Sequence, residues 1–180
     1  PHITELIYCL TRSYYDYFQP IKPTDKETVM FAVGWGLEET LLRDGKSTTP
    51  SVSLLEGIYL TPDYITLSDN TGLDLKTTRM YVKDGLPSKG WPDSWIEQFK
   101  GYAYLLNQPT LPEVMPYHVA VVFLIPAEIV AGTFLFTKQE VEENWTYLQM
   151  RKLFYQAHID KKTVPTPFAF NKTWECDYCR

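Results

Sequence analysis

Residues 62–78 read PDYITLSDNTGLDLKTT, and this stretch decides how the rest of the chain is interpreted. The β-rich run 64–67 is followed by turn-forming residues at 68–71, and 73–77 has the composition of a returning strand. These features predict an antiparallel hairpin with a two-residue loop at Asp69-Asn70.

The predicted hairpin brings two acids and a lysine to one place. Its register sets Asp63 opposite Lys76 and Ile65 opposite Asp74, so that Asp63, Asp74 and Lys76 share one face. Carboxylates are the ligands that Mg²⁺ and Mn²⁺ prefer, and the carbonyl of Leu75 is a further oxygen candidate. Lys76 would then orient or deprotonate a water and hold a phosphate. The alternative is a surface hairpin whose acids and lysine are simply solvated.

The order of the motifs resembles a known family. The chain resembles the PD-(D/E)XK nuclease superfamily in the order of four motifs. These are Pro62-Asp63, DLKTT from Asp74, the pair Gln98 and Tyr102 four residues apart, and a terminal cysteine pair. Within it, the chain is similar to the RecB-like iron–sulfur exonucleases, including the CRISPR-associated branch. The resemblance implies one RecB-like nuclease domain over 1–180, with a restriction-endonuclease-like αβββαβ core in which helices flank a mixed central sheet.

The resemblance also implies roles for particular residues. Asp63 and Asp74 would hold Mg²⁺ or Mn²⁺, Lys76 would act on the water, and Gln98 and Tyr102 would line the active site. The implied substrate is a single-stranded DNA end. The sequence does not distinguish a function in CRISPR spacer acquisition, in a phage or in DNA repair, and the candidate protein partners are CRISPR adaptation or recombination proteins.

A helix glycine and acid extend the resemblance, with one departure from it. In RecB-like nucleases this helix carries a glycine and, four residues later, a metal-binding histidine. Gly34 and Glu38 match that spacing, but a glutamate stands in place of the histidine. Because a carboxylate is a competent ligand for a hard metal, Glu38 is a candidate third acid. An exposed helix residue is the alternative.

Hydrophobic periodicity and capping signals predict an alternation of helices and strands. Capping boxes are predicted at Thr24–Glu27, Ser94–Glu97 and Thr137–Glu140, and Arg151 and Lys152 are expected to be solvated. Four helices are predicted, at 4–18, from about 25 to 41, at 94–106 and at 138–157. The predicted strands are 50–60, 63–67, 73–77, 117–125 and 129–136. The last two strands are apolar enough to predict a sheet covered on both sides.

Three cysteines indicate a possible soft metal centre. Cys176-x-x-Cys179 lies at the end of the chain and Cys9 in the predicted first helix. The resemblance implies that this tail folds back on the first helix and that the cysteines hold a [4Fe–4S] cluster. Such a cluster usually needs four thiolates, so a fourth ligand is expected beyond Arg180 or is missing. One alternative is a zinc ion held by the three cysteines and His2. Another alternative is a disulfide between Cys176 and Cys179.

Composition limits the classes of function. Hydrophobic residues make up 44% and charged residues 22%, with a net charge of −5, and no apolar run is long enough to span a bilayer. A cytoplasmic protein without a signal peptide or membrane contact is therefore expected, although the negative charge is unusual for a nucleic-acid binder. Apart from a nuclease, a DNA-binding module that has lost cleavage and a two-carboxylate glycosidase remain open. His118 and His158 are predicted to be structural.

Overall fold

The computed structural model of the protein is an α/β fold in which helices flank a mixed sheet. The structure describes residues 1–41, 47–48, 52–66, 69, 71–80, 82–83, 86–87, 90–125 and 127–166. The helices are α1 (Ile3–Ile7), α2 (Leu10–Phe18), α3 (Asp25–Leu41), α4 (Asp93–Leu106) and α5 (Lys138–Lys161). The strands are β1 (Ser47–Thr48), β2 (Ser53–Leu55), β3 (Ile58–Leu60), β4 (Tyr64–Thr66), β5 (Gly72–Thr78), β6 (Val82–Lys83), β7 (Leu86–Pro87), β8 (Val114–Phe123) and β9 (Glu128–Thr137).

The main sheet has the strand order β1-β4-β5-β8-β9. Strands β5 and β8 are parallel, and the other neighbouring pairs are antiparallel, as expected for a mixed sheet. The connection from β5 to β8 contains α4, which contacts both of these strands. This connection therefore places α4 next to the acid and lysine positions of β5.

The two faces of the sheet are covered by different helices. Val119, Val121 and Phe123 of β8 belong to the main core, to which α1, α4 and α5 contribute. Leu75 and Val122 project to the opposite face, where Leu37 of α3 packs against them. Because side chains alternate along a strand, the even-numbered positions of β5 face α4.

The β4–β5 hairpin forms, but with a different register from the prediction. Ile65 lies opposite Gly72 and not opposite Asp74. The Thr66 amide donates to the Thr71 carbonyl at 2.9 Å, so the connection between the strands is longer than two residues. The prediction of a two-residue loop was wrong because turn composition alone does not fix which residues close the hairpin.

The predicted first helix is two helices with a break at Tyr8 and Cys9. Tyr8 has an extended backbone (φ −82°, ψ −179°), and Cys9 is the N-cap of α2 instead of lying within a helix. Arg151, predicted to be solvated, is buried and donates to the carbonyls of Leu6 and Tyr8. A guanidinium with several donors can satisfy the carbonyls that the end of α1 leaves without helical partners.

Replacing Arg151 should therefore weaken the fold. We expect Arg151→Met to lower the free energy of unfolding by about 2 kcal/mol, because buried carbonyls lose their donors. Urea denaturation followed by circular dichroism measures this change. The neighbouring Lys152→Met, which removes an exposed bond to the Glu56 carbonyl, is the control and should cost less than about 1 kcal/mol. Equal effects of the two variants would contradict the role given to Arg151.

Other local predictions had mixed outcomes. The capping boxes at Thr24 and Thr137 form, the second with its reciprocal bonds to Glu140. The capping box at Ser94 does not form, since α4 begins after an N-cap Pro92 that has no side-chain oxygen to offer. The expectation that the last strand is covered on both sides was also wrong.

Strand β9 lies at one end of the strand order and keeps an exposed face. Ile129 and Leu135 are 54% and 69% exposed. An apolar sequence does not distinguish such a strand from a central one, because edge position is set by the pairing of distant segments. No helix in the part of the chain that the structure describes is long and apolar enough to cross a membrane.

Candidate active site

The hairpin brings Asp63 beside Asp74. The Asp63 amide lies 3.5 Å from Asp74 Oδ1, and the Leu75 amide donates to Asp63 Oδ2 at 2.9 Å. Asp63 was predicted to lie opposite Lys76, but the observed register places it opposite Asp74, two residues earlier on β5. Because side chains repeat every two residues along a strand, a shift of two keeps Asp63 on the same face as Asp74 and Lys76, as predicted.

Asp74 is the buried centre of the site. Its side chain is fully inaccessible, and its Oδ1 atom accepts a hydrogen bond from the Tyr117 hydroxyl at 2.8 Å. The Lys76 ammonium lies 2.7 Å from Oδ2. Apart from that ion pair, Oδ2 accepts no hydrogen bond from the described residues. A buried carboxylate oxygen with a lone pair to spare is the kind of atom that a cation can use.

Lys76 is held by helix α4. Gln98 Oε1 accepts from the Lys76 ammonium at 3.0 Å, and Gln98 Nε2 donates to the Tyr102 hydroxyl at 2.9 Å. Lysine can only donate, so this orientation of the Gln98 amide follows from its partner. The ammonium also lies 5.6 Å from the centre of the Phe99 ring. Gln98 and Tyr102 are therefore in the site, where the hydrogen bonds from Lys76 to Gln98 and from Gln98 to Tyr102 orient the lysine.

The charges of the site perturb its titrating groups. Burial and the negative charge of Asp74 raise the pKa of Asp63 to about 7. Burial alone would lower the pKa of Lys76, but the combined charges of Asp74 and Asp63 raise it above its ordinary value. The pKa of Tyr102 is raised, mainly by burial, so its hydroxyl stays protonated. Two close carboxylates with one ammonium leave excess negative charge, which a dication would neutralise.

Glu38 approaches the site from a different direction. Helix α3 packs on the face from which Thr77 projects, and the missing Cβ of Gly34 would lie 3.7 Å from the Thr77 hydroxyl. Burial and the charge of Asp74 raise the pKa of Glu38, so the two acids interact electrostatically. Among the described residues, however, no three acid, histidine or cysteine side chains are close enough to hold one ion together.

This geometry fits one particular kind of metal site. Mg²⁺ commonly takes one or two protein carboxylates and completes its octahedron with water and substrate phosphate. Asp63 and Asp74 supply such a pair. Apart from its ion pair with Lys76, Asp74 Oδ2 has no hydrogen bond from the described residues, so it can also bind a cation. A three-carboxylate site that includes Glu38 is not formed by the side chains as they stand.

The predicted cysteine centre is described only in part. Cys9 is buried at the break between α1 and α2, whereas Cys176 and Cys179 lie outside the described residues. The Thr11 hydroxyl donates to the Pro165 carbonyl at 2.9 Å, which brings the segment after α5 to the beginning of α2. His2, the alternative zinc ligand, caps the other end of α1 and bonds to Thr4.

Tyr117 is the site residue that sequence reasoning missed. It stands in the apolar run of β8, where it reads as an ordinary core residue. A signal was nevertheless present, because a buried tyrosine needs a partner for its hydroxyl. Identifying Asp74 as that partner requires the parallel pairing of β5 with β8, because the two residues are 43 positions apart in the sequence.

Comparisons with known proteins give information on the fold. No protein-family model and no curated protein matches the chain. A solved structure described as SSO0001 is similar over 99% of this chain and 82% of its own, with a TM-score of 0.63 and 18% sequence identity. At this identity the similarity concerns the arrangement of helices and strands, and this arrangement is shared over nearly the whole chain.

Proposed function

We propose that this chain is a Mg²⁺- or Mn²⁺-dependent deoxyribonuclease of the PD-(D/E)XK superfamily, of the RecB-like type. The observation that carries the proposal is the approach of both Asp63 and Lys76 to the buried carboxylate of Asp74, with the lysine oriented by Gln98. The mixed sheet with a helical crossover between β5 and β8 supports the same assignment.

The residues divide the work of phosphodiester hydrolysis. Asp63 and Asp74 would hold the cation, with the Leu75 carbonyl as a further oxygen and Glu38 contributing negative charge nearby. When bound, the cation neutralises charge on the phosphate and makes water more acidic. Burial lowers the pKa of Lys76 and the charges of Asp74 and Asp63 raise it above its ordinary value in the metal-free protein. Lys76 would hold the phosphate and orient or deprotonate the attacking water.

A single-stranded DNA end in the cytoplasm is the proposed substrate, with CRISPR adaptation, recombination or repair proteins as partners. We also propose that Cys9, Cys176 and Cys179 are ligands of a [4Fe–4S] cluster. The bond from the Thr11 hydroxyl to the Pro165 carbonyl supports this proposal, because it places Pro165 against the start of α2, two residues from Cys9. Iron content and visible absorption of protein purified without oxygen test the cluster. A colourless protein with stoichiometric zinc would favour the zinc alternative.

Cleavage of defined DNA substrates tests the nuclease proposal. We expect linear single-stranded DNA to be degraded with Mn²⁺ and left intact with EDTA, because the paired carboxylates need the cation. A circular single strand of the same sequence should resist an exonuclease and is the matched substrate control.

A gel-shift on the same linear strand distinguishes the main alternative. Retarded DNA that stays intact in Mn²⁺ would favour a binding module and contradict the nuclease. Cleavage that is equal in Mn²⁺ and EDTA would contradict the metal-dependent mechanism.

A further inference from the structure

Tyr117 has a contact that distinguishes it from the other tyrosines of the core. Its side chain is fully buried on β8, and its hydroxyl donates to Asp74 Oδ1 at 2.8 Å. Asp74 is itself fully buried, so water does not compete for this bond. A hydrogen bond to a buried charged group is stronger than one between neutral groups.

This bond makes the two oxygens of Asp74 different. Oδ1 faces the Tyr117 hydroxyl and, at 3.5 Å, the Asp63 amide. Oδ2 is directed to the Lys76 ammonium and has no further hydrogen bond from the described residues. Rotation of the carboxylate about its Cβ–Cγ bond would exchange these environments, and the Tyr117 bond opposes that rotation.

We propose that Tyr117 is a positioning residue that fixes Asp74 so that Oδ2 is presented to the cation and to Lys76. This inference rests on the nuclease function proposed above and names a residue that the sequence motifs do not contain. Partners that orient a metal ligand in this way commonly change metal affinity 10–100-fold when they are removed.

The surroundings of Tyr117 hold the ring in place. Its ring stacks on Phe99, with centroids 5.2 Å apart and planes at 18°, and lies 6.2 Å from the ring of Tyr102. Gly72 leaves the space that this ring occupies. A Cβ at Gly72 would lie 2.9 Å from Tyr117 Cζ and 2.8 Å from Leu106 Cδ1, closer than real Cβ contacts come.

Tyr117→Phe isolates the hydroxyl, because it keeps the ring and its stacking. We expect the apparent affinity for Mn²⁺, titrated calorimetrically, to fall about tenfold. The Mn²⁺ concentration for half-maximal cleavage should rise by the same factor, with a smaller change in the rate at saturating Mn²⁺. A residue that merely fills space would not shift the metal dependence.

Tyr155→Phe is the matched control for losing a buried tyrosine hydroxyl. Tyr155 is 3% exposed and donates to the Ser13 carbonyl at 3.1 Å, on a different helix from the site. Its loss should leave Mn²⁺ affinity unchanged. Equal Mn²⁺ affinity in Tyr117→Phe and Tyr155→Phe, beside an active wild type, would overturn the role of Tyr117 and leave the nuclease standing. A wild type that neither binds Mn²⁺ nor cleaves DNA would overturn both.

A second variant keeps the test valid if Tyr117→Phe does not fold. Gly72→Ala keeps the site side chains and pushes the Tyr117 ring, so it should also weaken Mn²⁺ binding. Gly132→Ala is its control, because a Cβ there meets no atom within 4 Å. Wild-type Mn²⁺ affinity in a folded Gly72→Ala protein would count against the proposal.

Discussion

Asp74→Asn is expected to lower Mn²⁺-dependent DNA cleavage about a hundredfold to a thousandfold, the loss typical of removing a principal electrostatic group from an active site. The substitution removes the charge of the fully buried carboxylate that contacts both Lys76 and Tyr117. The amide has the same shape. It can turn its oxygen to the Lys76 ammonium and its nitrogen to the Tyr117 hydroxyl, which accepts as well as donates.

The fold should survive this change. Loss of the ion pair with Lys76 is unfavourable, but the repulsion between Asp74 and Asp63 disappears with it. Initial cleavage rates on linear single-stranded DNA, measured beside circular dichroism and thermal unfolding, separate activity from stability. Asp16→Asn is the control, since Asp16 is an exposed acid that pairs with Arg12 on α2. More than a tenth of wild-type cleavage in Asp74→Asn would contradict the central role of Asp74.

The sequence predicted the members of the site better than their arrangement. Asp74 and Lys76 share a face because they are two residues apart on one strand, and Asp63 stays on that face because the register error was two residues. The contact of Gln98 with Tyr102 follows from helical spacing in the same way. Local periodicity is therefore enough wherever partners belong to one element or one hairpin.

Contacts between distant segments were not predictable in this way. Arg151 follows a solvent-facing pattern in sequence, yet it is buried because the end of α1 offers it carbonyls. Tyr117 reads as core, and its role depends on the parallel pairing of two strands. The electrostatic interaction of Glu38 with Asp74 likewise depends on how α3 packs against the sheet. Each of these outcomes is decided by tertiary packing, which local propensity and periodicity do not reveal.

Binding of Mn²⁺ is expected to stabilise the protein, and to do so more at pH 8 than at pH 6. At a free Mn²⁺ concentration of about 100 times Kd, the gain is about 2.7 kcal/mol, or roughly 5–10 °C in Tm for a chain of this size. The pH dependence follows from Asp63, whose pKa is raised to about 7 by burial and by the charge of Asp74.

The direction of the effect follows from where the proton is held. Asp63 has an ordinary pKa of 3.8 when unfolded, so between about pH 4 and pH 7 the metal-free folded protein holds a proton that the unfolded chain releases. Stability without metal from this group therefore falls as the pH rises through that window. The cation binds the carboxylate and must displace the proton below pH 7, so its apparent affinity falls as the pH decreases. At the same free Mn²⁺ concentration, the increase in Tm at pH 6 should thus be about half of the increase at pH 8, because protonation of Asp63 weakens binding about tenfold at pH 6.

Thermal unfolding with and without Mn²⁺ at the two pH values measures this difference. The two samples compared at each pH differ only in Mn²⁺, so other titrating groups affect both alike. Asp63→Asn has no proton to displace, so it should remove the pH dependence of the metal effect and bind Mn²⁺ more weakly. Asp69→Asn should retain the wild-type pattern, because Asp69 is an exposed acid that bonds to Thr66 and Thr71 of the turn. A Mn²⁺ effect that is equal at pH 6 and pH 8 in the wild type would show that Asp63 does not ligate the ion. A pH dependence that persists in Asp63→Asn would assign it to another group, and the two-carboxylate site would then have to be rebuilt around that group.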